Sequence, residues 1–283
     1  MQTINCKLIR EMILADVREK VAKMRRVPRL TIVQVIGDDA SEVYIRNKVK
    51  TCGEVGIDCA VIKLANDVPA QAVMSTILGC VSSPQIDAVM LQCPLPDHLK
   101  EYEREFLDLI PFYKDVDGLS SESVGRLWSD LPSVVPATAA GVMRLLPEDL
   151  RGKDVTVINR SSLIGKPLIK LLLDRNATVT VAHSKTNDLE IKTSASDVVI
   201  SGVGVPKFFD KEYVVKDVMW IDCGISRDKD GKLCGDLDLE GVSGIRGLAT
   251  PVPGGVGLLT TAQLAMNVIT CYELAHGGEV WKK

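Results

Sequence analysis

Between residues 7 and 25 the apolar positions Leu8, Ile9, Met12, Ile13, Val17, Val21 and Met24 recur at three- and four-residue steps, which predicts an amphipathic helix. The run RLTIVQVIG (29–37), rich in β-branched residues, predicts a compact strand ending at Gly37. Asp39 and Glu42 have the spacing of a capping box, so a helix is expected from near Ala40 to Gly53 or Gly56. A strand follows at DCAVIKLA (58–65), then a helix from Pro69 to Cys80 and a strand at IDAVMLQ (86–92). The charged segment DHLKEYEREFLDLI (97–110) reads as one further helix. Strands alternating with helical patterns imply a parallel sheet with crossover helices.

The pattern pauses over PFYKDVDGLSSESVG (111–125) and then resumes. DVTVIN (154–159) is strand-like, GKPLIKLLLDR (165–175) helical, and ATVTVAHS (177–184), SDVVISGVG (196–204) and VMWIDCGI (218–225) are further strands. IRGLATPVPGGVG (245–257) leads from a short strand into a glycine-rich loop. TTAQLAMNVITCYELAH (260–276) is a last helix stopping before Gly277 and Gly278. The expectation is two three-layer α/β domains with parallel sheets. One comprises residues 1–135 plus the C-terminal helix 258–283, and the other, residues 136–257, is Rossmann-like.

Composition narrows the function classes. A net charge of −3 supplies no global field for nucleic acid or an anionic membrane surface, so any anion must be held locally. Eight cysteines without a C-x-x-C pair read as reduced thiols and favour the cytoplasm. With only His98, His183 and His276 as imidazoles, a zinc site is not expected. The N-terminus is charged throughout and no apolar run is long enough to span a membrane.

In the second domain, INRSSLIGKP follows a strand and opens a helix, where a dinucleotide fold places its pyrophosphate loop. Asn159 takes the first turn position, where asparagine's tolerance of positive φ suits it. Gly165 either lets the helix N-terminus approach a phosphate or packs the helix on the strand. At the end of the next strand the chain reads AHSKT, with His183, Ser184 and Lys185 but no acid for a ribose 2′-hydroxyl. With Arg160 in the neighbouring turn, a 2′-phosphate fits better, favouring NADP over NAD; two solvated cations are the competing reading.

In the first domain, Tyr44 and Lys48 lie on the helix after the first strand, Gln92 ends the third, and Asp115 and Asp117 follow the next helix. Ligands in such sheets bind beyond the strands' carboxyl ends, where all of these can project. Ile45, Val49 and Cys52 share a face expected to be buried, while Arg46 and Lys50 face solvent. Tyr44 and Lys48 form an i,i+4 pair flanking the apolar stripe. A partly desolvated lysine there suits general acid–base work. The helix by itself equally accommodates a lysine whose stem covers apolar surface. Y-x-x-x-K also occurs in short-chain dehydrogenases, but their nucleotide loop precedes the pair, the reverse of the order here.

The segments SEVYIRNKVK, GEVGI, LQCPLPDHL, KDVDG, NRSSLIGKP, HSKT, IDCGI, GDLDLEGV and TPVPGGVG stand in this order from about residue 35 to 270. Together they resemble the bifunctional methylenetetrahydrofolate dehydrogenase/methenyltetrahydrofolate cyclohydrolase family. The resemblance implies a cytoplasmic homodimer in one-carbon metabolism, serving purine biosynthesis, with two reactions in one interdomain cleft. NADP would take a hydride from 5,10-methylenetetrahydrofolate, and water would open the methenyl product to 10-formyltetrahydrofolate. Lys48 would be the acid/base of hydrolysis, Gln92 its tuning partner, Tyr44 a stacking residue and Asp117 a pterin ligand. Asn159, Arg160, Ser161, Gly165, His183, Ser184 and Ile225 would bind the cofactor, and Pro251, Gly254 and Gly255 would border the folate. The family usually has Gly-Arg-Ser where Asn159-Arg160-Ser161 stands, Pro-Cys-Thr-Pro where PATA stands, and Pro-Met-Thr where Leu258-Leu259-Thr260 stands. These departures bear on cofactor affinity and the cleft floor, and none removes a candidate catalytic group. A monofunctional dehydrogenase and a non-catalytic nucleotide-binding descendant are the alternatives.

Overall fold

The computed structural model describes residues 1–36, 39–214 and 217–277. In chain order the elements are β1 (Gln2–Thr3), α1 (Cys6–Ala22), β2 (Arg29–Val35), α2 (Asp39–Glu54), β3 (Asp58–Leu64), α3 (Ala70–Ser82) and β4 (Ala88–Leu91). After a 3₁₀ turn (Asp97–Tyr102) come α4 (Glu103–Asp108), α5 (Ser121–Trp128), α6 (Ala137–Met143), β5 (Asp154–Ile158), α7 (Gly165–Asp174) and β6 (Thr178–Ala182). The chain ends through α8 (Leu189–Ser194), β7 (Val198–Ser201), β8 (Val218–Asp222), β9 (Ser226–Arg227), β10 (Leu233–Cys234), β11 (Gly247–Ala249) and α9 (Val256–His276). It divides into two compact units, Met12–Pro136 with Thr261–Lys283, and Met1–Glu11 with Ala137–Thr260.

The first of these units carries a three-stranded sheet in the order β3-β2-β4. Both pairings are parallel, with Val33 opposite Ile62 and Leu91. β2 sits centrally and is buried along almost its whole length, Thr31 and Gln34 included, as a strand covered on both faces is. Helix α3 buries Val73, Ile77 and Cys80 at four- and three-residue steps. These join Val33, Val89, Leu91 and Phe106 in one core, each such side chain contributing about 1.5–3 kcal/mol. Arg26 makes a two-pronged contact with the buried Asp87 (2.8 and 2.6 Å) that closes the amino end of this sheet.

The other unit is built on a six-stranded sheet, β1-β11-β8-β7-β5-β6, parallel at every pairing. The order reverses at β5, whose neighbours are β6 on one side and β7 on the other, the switch point of a Rossmann-like sheet. Trp220, Phe209, Val199 and Ile158 fill its core, and Trp220 Nε1 donates to Ser201 Oγ at 3.0 Å. A separate antiparallel pair, β9 with β10, follows β8.

Several boundaries differ from the sequence expectation. Residues 97–110 are a 3₁₀ turn followed by a short α-helix, an arrangement that puts Leu99, Phe106, Leu107 and Ile110 into one core. The pause at 111–125 conceals α5, capped by Ser120 Oγ accepting from Ser123 N at 3.3 Å. β1 and α8 are too short for a periodic signal. Helix α9 begins at Val256, inside the expected glycine-rich loop. Gly37, the Asp39 side chain and Gly278 lie outside the described residues, and with the first two the expected strand end and capping box, whereas α9 stops at His276, before Gly277 (φ +73°), as expected. Glu42, the other half of that box, bonds to Lys63 (2.8 Å) and Gln34 (3.0 Å).

Candidate functional site

Helix α2 separates its residues as the periodicity required. Ile45 and Cys52 are buried, Val49 and Lys48 partly so, and Arg46 and Lys50 are exposed. Lys48 Nζ donates to Gln92 Oε1 at 2.8 Å and lies 3.3 Å from Met90 Sδ. Met90 and Gln92 share a side of the chain because they are two residues apart at the end of β4. Gln92 Nε2 donates to the Cys93 carbonyl at 2.5 Å, which turns its oxygen towards the lysine. The Cys93–Pro94 peptide that follows is cis. Tyr44, one turn before Lys48, is 45% exposed.

The loop beside β4 brings in the acids. Asp115 bridges to Val89, and its buried carboxylate accepts from Gly118 N (2.9 Å) and Ser120 N (2.8 Å). Gly118 is needed in this turn: its φ is +66° and a Cβ would stand 2.5 Å from the Val134 carbonyl. Asn267 of α9 clamps the backbone beside it, donating to the Val116 and Val135 carbonyls at 2.9 and 2.8 Å. Asp117 is half-buried, and burial pushes its carboxyl up to about 6; the Lys48 charge opposes this and Asp115 adds to it. Lys48 is thus bonded to Gln92 and within electrostatic reach of Asp117, and Tyr44 lies on the same helix with its side chain exposed.

A folded pKa near 6, above the ordinary 3.8, means the native state binds this proton more tightly than the unfolded chain. The burial penalty is therefore present above about pH 6 and is relieved as pH falls towards 4. Asp117→Asn is expected to raise the melting temperature relative to the parent at pH 8 and to lose most of that advantage at pH 4.5. A melting difference independent of pH would remove this assignment.

In the other unit the β-register sets up the second group of residues. Ile158 of β5 stands opposite Ala182 of β6, so Arg160 and Ser184, each two residues further, leave the sheet side by side. Both are exposed, and no acid occupies 183–186. His183 and Thr186 close that turn through His183 N to Thr186 Oγ1 (2.9 Å) and Lys185 N to His183 Nδ1 (3.2 Å). Ile158 also stands opposite Ser201 of β7, so Asn159 meets Gly202 across the switch point. Asn159 Nδ2 donates to the Gly202 carbonyl at 2.6 Å, while its Oδ1 accepts from Ser161 N (2.8 Å), Ser161 Oγ (2.8 Å) and Gly165 N (3.0 Å).

These contacts correct one expectation. Asn159 is not among the residues of positive φ; it serves the turn with its side-chain amide, which holds the turn and the first helical N–H together. They also decide the reading of Gly165. A Cβ there would lie 2.2 Å from the Asn159 carbonyl oxygen, so the glycine packs helix α7 against the turn. Pro251, Gly254 (φ +97°) and Gly255 form the bend into α9, and a Cβ on Gly255 would stand 2.2 Å from the Pro251 carbonyl. Ile225, 44% exposed, reaches within 3.6 Å of a Cβ placed on Gly257.

Residues 4–117 match the family described as "Tetrahydrofolate dehydrogenase/cyclohydrolase, catalytic domain", and residues 136–276 match its NAD(P)-binding domain. The chain belongs to the tetrahydrofolate dehydrogenase/cyclohydrolase family. The bifunctional protein FolD of Lacticaseibacillus casei (strain BL23) is 39% identical over 270 residues, covering 93% of this chain and 95% of its own. Among solved structures, the bifunctional dehydrogenase/cyclohydrolase from Campylobacter jejuni superposes with a TM-score of 0.91 at 33% identity, covering 96% of this chain and 99% of that one. The Trypanosoma brucei dehydrogenase-cyclohydrolase, solved with NADP and an inhibitor, gives 0.89 at 30% identity, covering 97% and 98%.

Family membership leaves some members of the site to be found from the geometry. Met90 was signalled by its two-residue distance from Gln92, the period of a strand. Asn267 carried no local signal, since its contacts lie more than 130 residues away. Among the described residues no group of three or more His, Cys, Asp or Glu is placed to hold a metal, and no helix is long and apolar enough to cross a membrane.

Proposed function

We propose that this chain oxidises 5,10-methylenetetrahydrofolate to 5,10-methenyltetrahydrofolate with NADP and hydrolyses that product to 10-formyltetrahydrofolate. The observation that carries the reading is the 2.8 Å bond between Lys48 Nζ and Gln92 Oε1, with Asp117 in electrostatic range. Folate handling is assigned to the unit with these groups, and NADP binding to the unit with Asn159, Arg160, Ser161, Gly165, His183, Ser184 and Ile225.

The cofactor fits the residues present. The Asn159–Gly165 turn opens a helix at the sheet's switch point, and exposed Arg160 and Ser184, side by side beyond the sheet, support the reading of a 2′-phosphate there. Bound NADP supplies the acceptor for the hydride that leaves the methylene carbon. That step needs no protein nucleophile, only placement of the folate ring, a proximity effect to which Tyr44 contributes by stacking.

Hydrolysis needs proton management. Water attacks the carbon that bridges the two folate nitrogens, and the Lys48 amine takes a proton from it. The bond to one nitrogen then breaks, that nitrogen receives a proton, and the formyl group stays on the other; one proton is released overall. Gln92 accepts from Lys48 Nζ and so holds the amine's remaining positions towards the substrate. Asp117 binds the pterin, and its carboxyl near 6 lets it accept or share a pterin proton around neutrality. Pro251, Gly254 and Gly255 border the substrate. The protein acts as a cytoplasmic homodimer in one-carbon metabolism, where its product serves purine biosynthesis; sedimentation at the mass of one chain would remove the dimer.

The reading is tested with methenyltetrahydrofolate alone, without cofactor: its absorbance is expected to decay faster with the protein than in buffer. An unaltered decay would exclude the hydrolytic half. Cofactor choice is tested with Arg160→Ala, expected to raise KM for NADP about tenfold while leaving KM for NAD near its parent value. An equal change for both cofactors would remove Arg160 from the 2′-phosphate.

A further inference from the structure

The carboxyl edge of the six-stranded sheet holds two carboxylates that neither reaction uses. Asp222 ends β8 at 3% exposure, and Asp236 is fully buried. Asp222 Oδ1 accepts from Gly224 N and its Oδ2 from Leu237 N, both at 2.8 Å. Asp236 takes three successive backbone donors, Val203 N (2.7 Å), Gly204 N (2.9 Å) and Val205 N (3.2 Å). The bonds cross: Asp222 holds the segment that carries Asp236, and Asp236 holds the loop that follows β7.

The backbone is shaped to admit them. A Cβ on Gly224 would stand 2.2 Å from Asp236 Oδ1, and one on Gly235 would stand 2.1 Å from Asp222 Oδ2. Burial raises both carboxyls, Asp222 to about 6, and Asp236 adds to that shift. Two like charges buried close together are a stability cost that a loop merely needing closure would not require.

What the carboxylates fix is the far side of the switch point. The 202–205 loop is tied to the dinucleotide turn through Asn159 Nδ2 and the Gly202 carbonyl (2.6 Å). A continuous run of bonds therefore leads from Asp236 through this loop to Asn159, and on to Ser161 and Gly165. Because Asp236 draws the loop's three N–H groups inward, they are not offered to a phosphate. The loop instead shows the half-exposed side chains of Val203 and Val205, a surface suited to a flat ring.

We propose that Asp222 and Asp236 are positioning residues for the dinucleotide: they set the 202–205 loop as an apolar wall for a cofactor ring and, through Gly202 and Asn159, set the pyrophosphate turn. This rests on the reading that this edge binds NADP. The test uses Asp236→Asn and Asp222→Asn, each alone and combined with Asn159→Ala. NADP titration, dehydrogenase kinetics, cofactor-free hydrolysis of methenyltetrahydrofolate and melting are followed on each full-length variant. Asp236→Asn is expected to raise Kd and KM for NADP about tenfold, one charge-assisted bond's worth. Turnover at saturating NADP and hydrolysis should stay within about twofold of the parent. Asn159→Ala on top should add less than its separate effect, because both act through one loop.

Unchanged NADP affinity in a variant, with the parent binding NADP, would overturn the positioning role alone. Parallel loss of NADP binding and hydrolysis would make the pair merely structural and overturn it too. Full additivity with Asn159→Ala would break the proposed connection. A parent that does not bind NADP would instead sink the underlying reading. If Asp236→Asn does not fold, Asp222→Asn carries the same test, since its carboxyl bonds the backbone of Gly224, Asp236 and Leu237 and leaves the Asp236 carboxylate in place.

Discussion

Lys48→Met removes hydrolysis of methenyltetrahydrofolate, a loss of about 10²- to 10⁴-fold if the lysine is the general acid–base group, and leaves NADP binding intact. Methionine keeps an unbranched apolar stem of similar reach, so the packing of α2 beside Met90 is preserved while the ionisable nitrogen is lost. The substitution also strips Gln92 Oε1 of a donor, which is tolerable in a half-buried amide that water can reach. It has a second signature. The Lys48 charge holds the Asp117 carboxyl down against burial, so the carboxyl of the variant should titrate above about 6. Stopped assays on methenyltetrahydrofolate, a cofactor titration and the pH dependence of folate binding check the three parts. Hydrolysis at the parent rate would take the acid–base role from Lys48.

Gly165→Ala has the opposite selectivity. Its Cβ would meet backbone on the Asn159 side, at 2.2 Å from the carbonyl oxygen and 2.9 Å from Arg160 N, so no flexible side-chain tip can yield. The turn or the helix must shift, at a cost of about 1–3 kcal/mol for overpacking. That shift falls on the Gly165 N to Asn159 Oδ1 bond, and hence on Ser161. NADP affinity is expected to drop tenfold or more, on the order of 1.4 kcal/mol, while cofactor-free hydrolysis continues. Gly79→Ala is the matched control: it lies inside α3 with nothing within 4 Å of the new Cβ, and should stabilise the protein by roughly 0.5–1 kcal/mol. If Gly165→Ala bound NADP like the parent, the close packing of α7 on the turn would be irrelevant to the cofactor.

Much of this was readable in advance, for physical reasons that differ by residue. The division of the VYIRNKVK helix into buried Ile45, exposed Arg46 and Lys50 and half-buried Lys48 follows from a period of 3.6. The meeting of Lys48 with Gln92 was accessible because strand–helix alternation puts both at one carboxyl edge. Asn159 was read through its backbone, whereas its function in the turn belongs to its amide, and periodicity says nothing about side-chain bonds. Asp222 and Asp236 stood in the quoted IDCGI and GDLDLEGV segments, yet their crossed bonds to loops 15 to 33 residues away carry no local signal. α5 was hidden because its serine-rich start, which caps it, also reads as a loop.

The most direct measurement supplies methylenetetrahydrofolate and NADP to the purified protein and follows NADPH and the methenyl intermediate separately. NADPH should rise with little methenyl product accumulating, because Lys48 and Gln92 open it to 10-formyltetrahydrofolate. No NADPH with either NADP or NAD, or methenyl product building up mole for mole with NADPH, would contradict the bifunctional assignment.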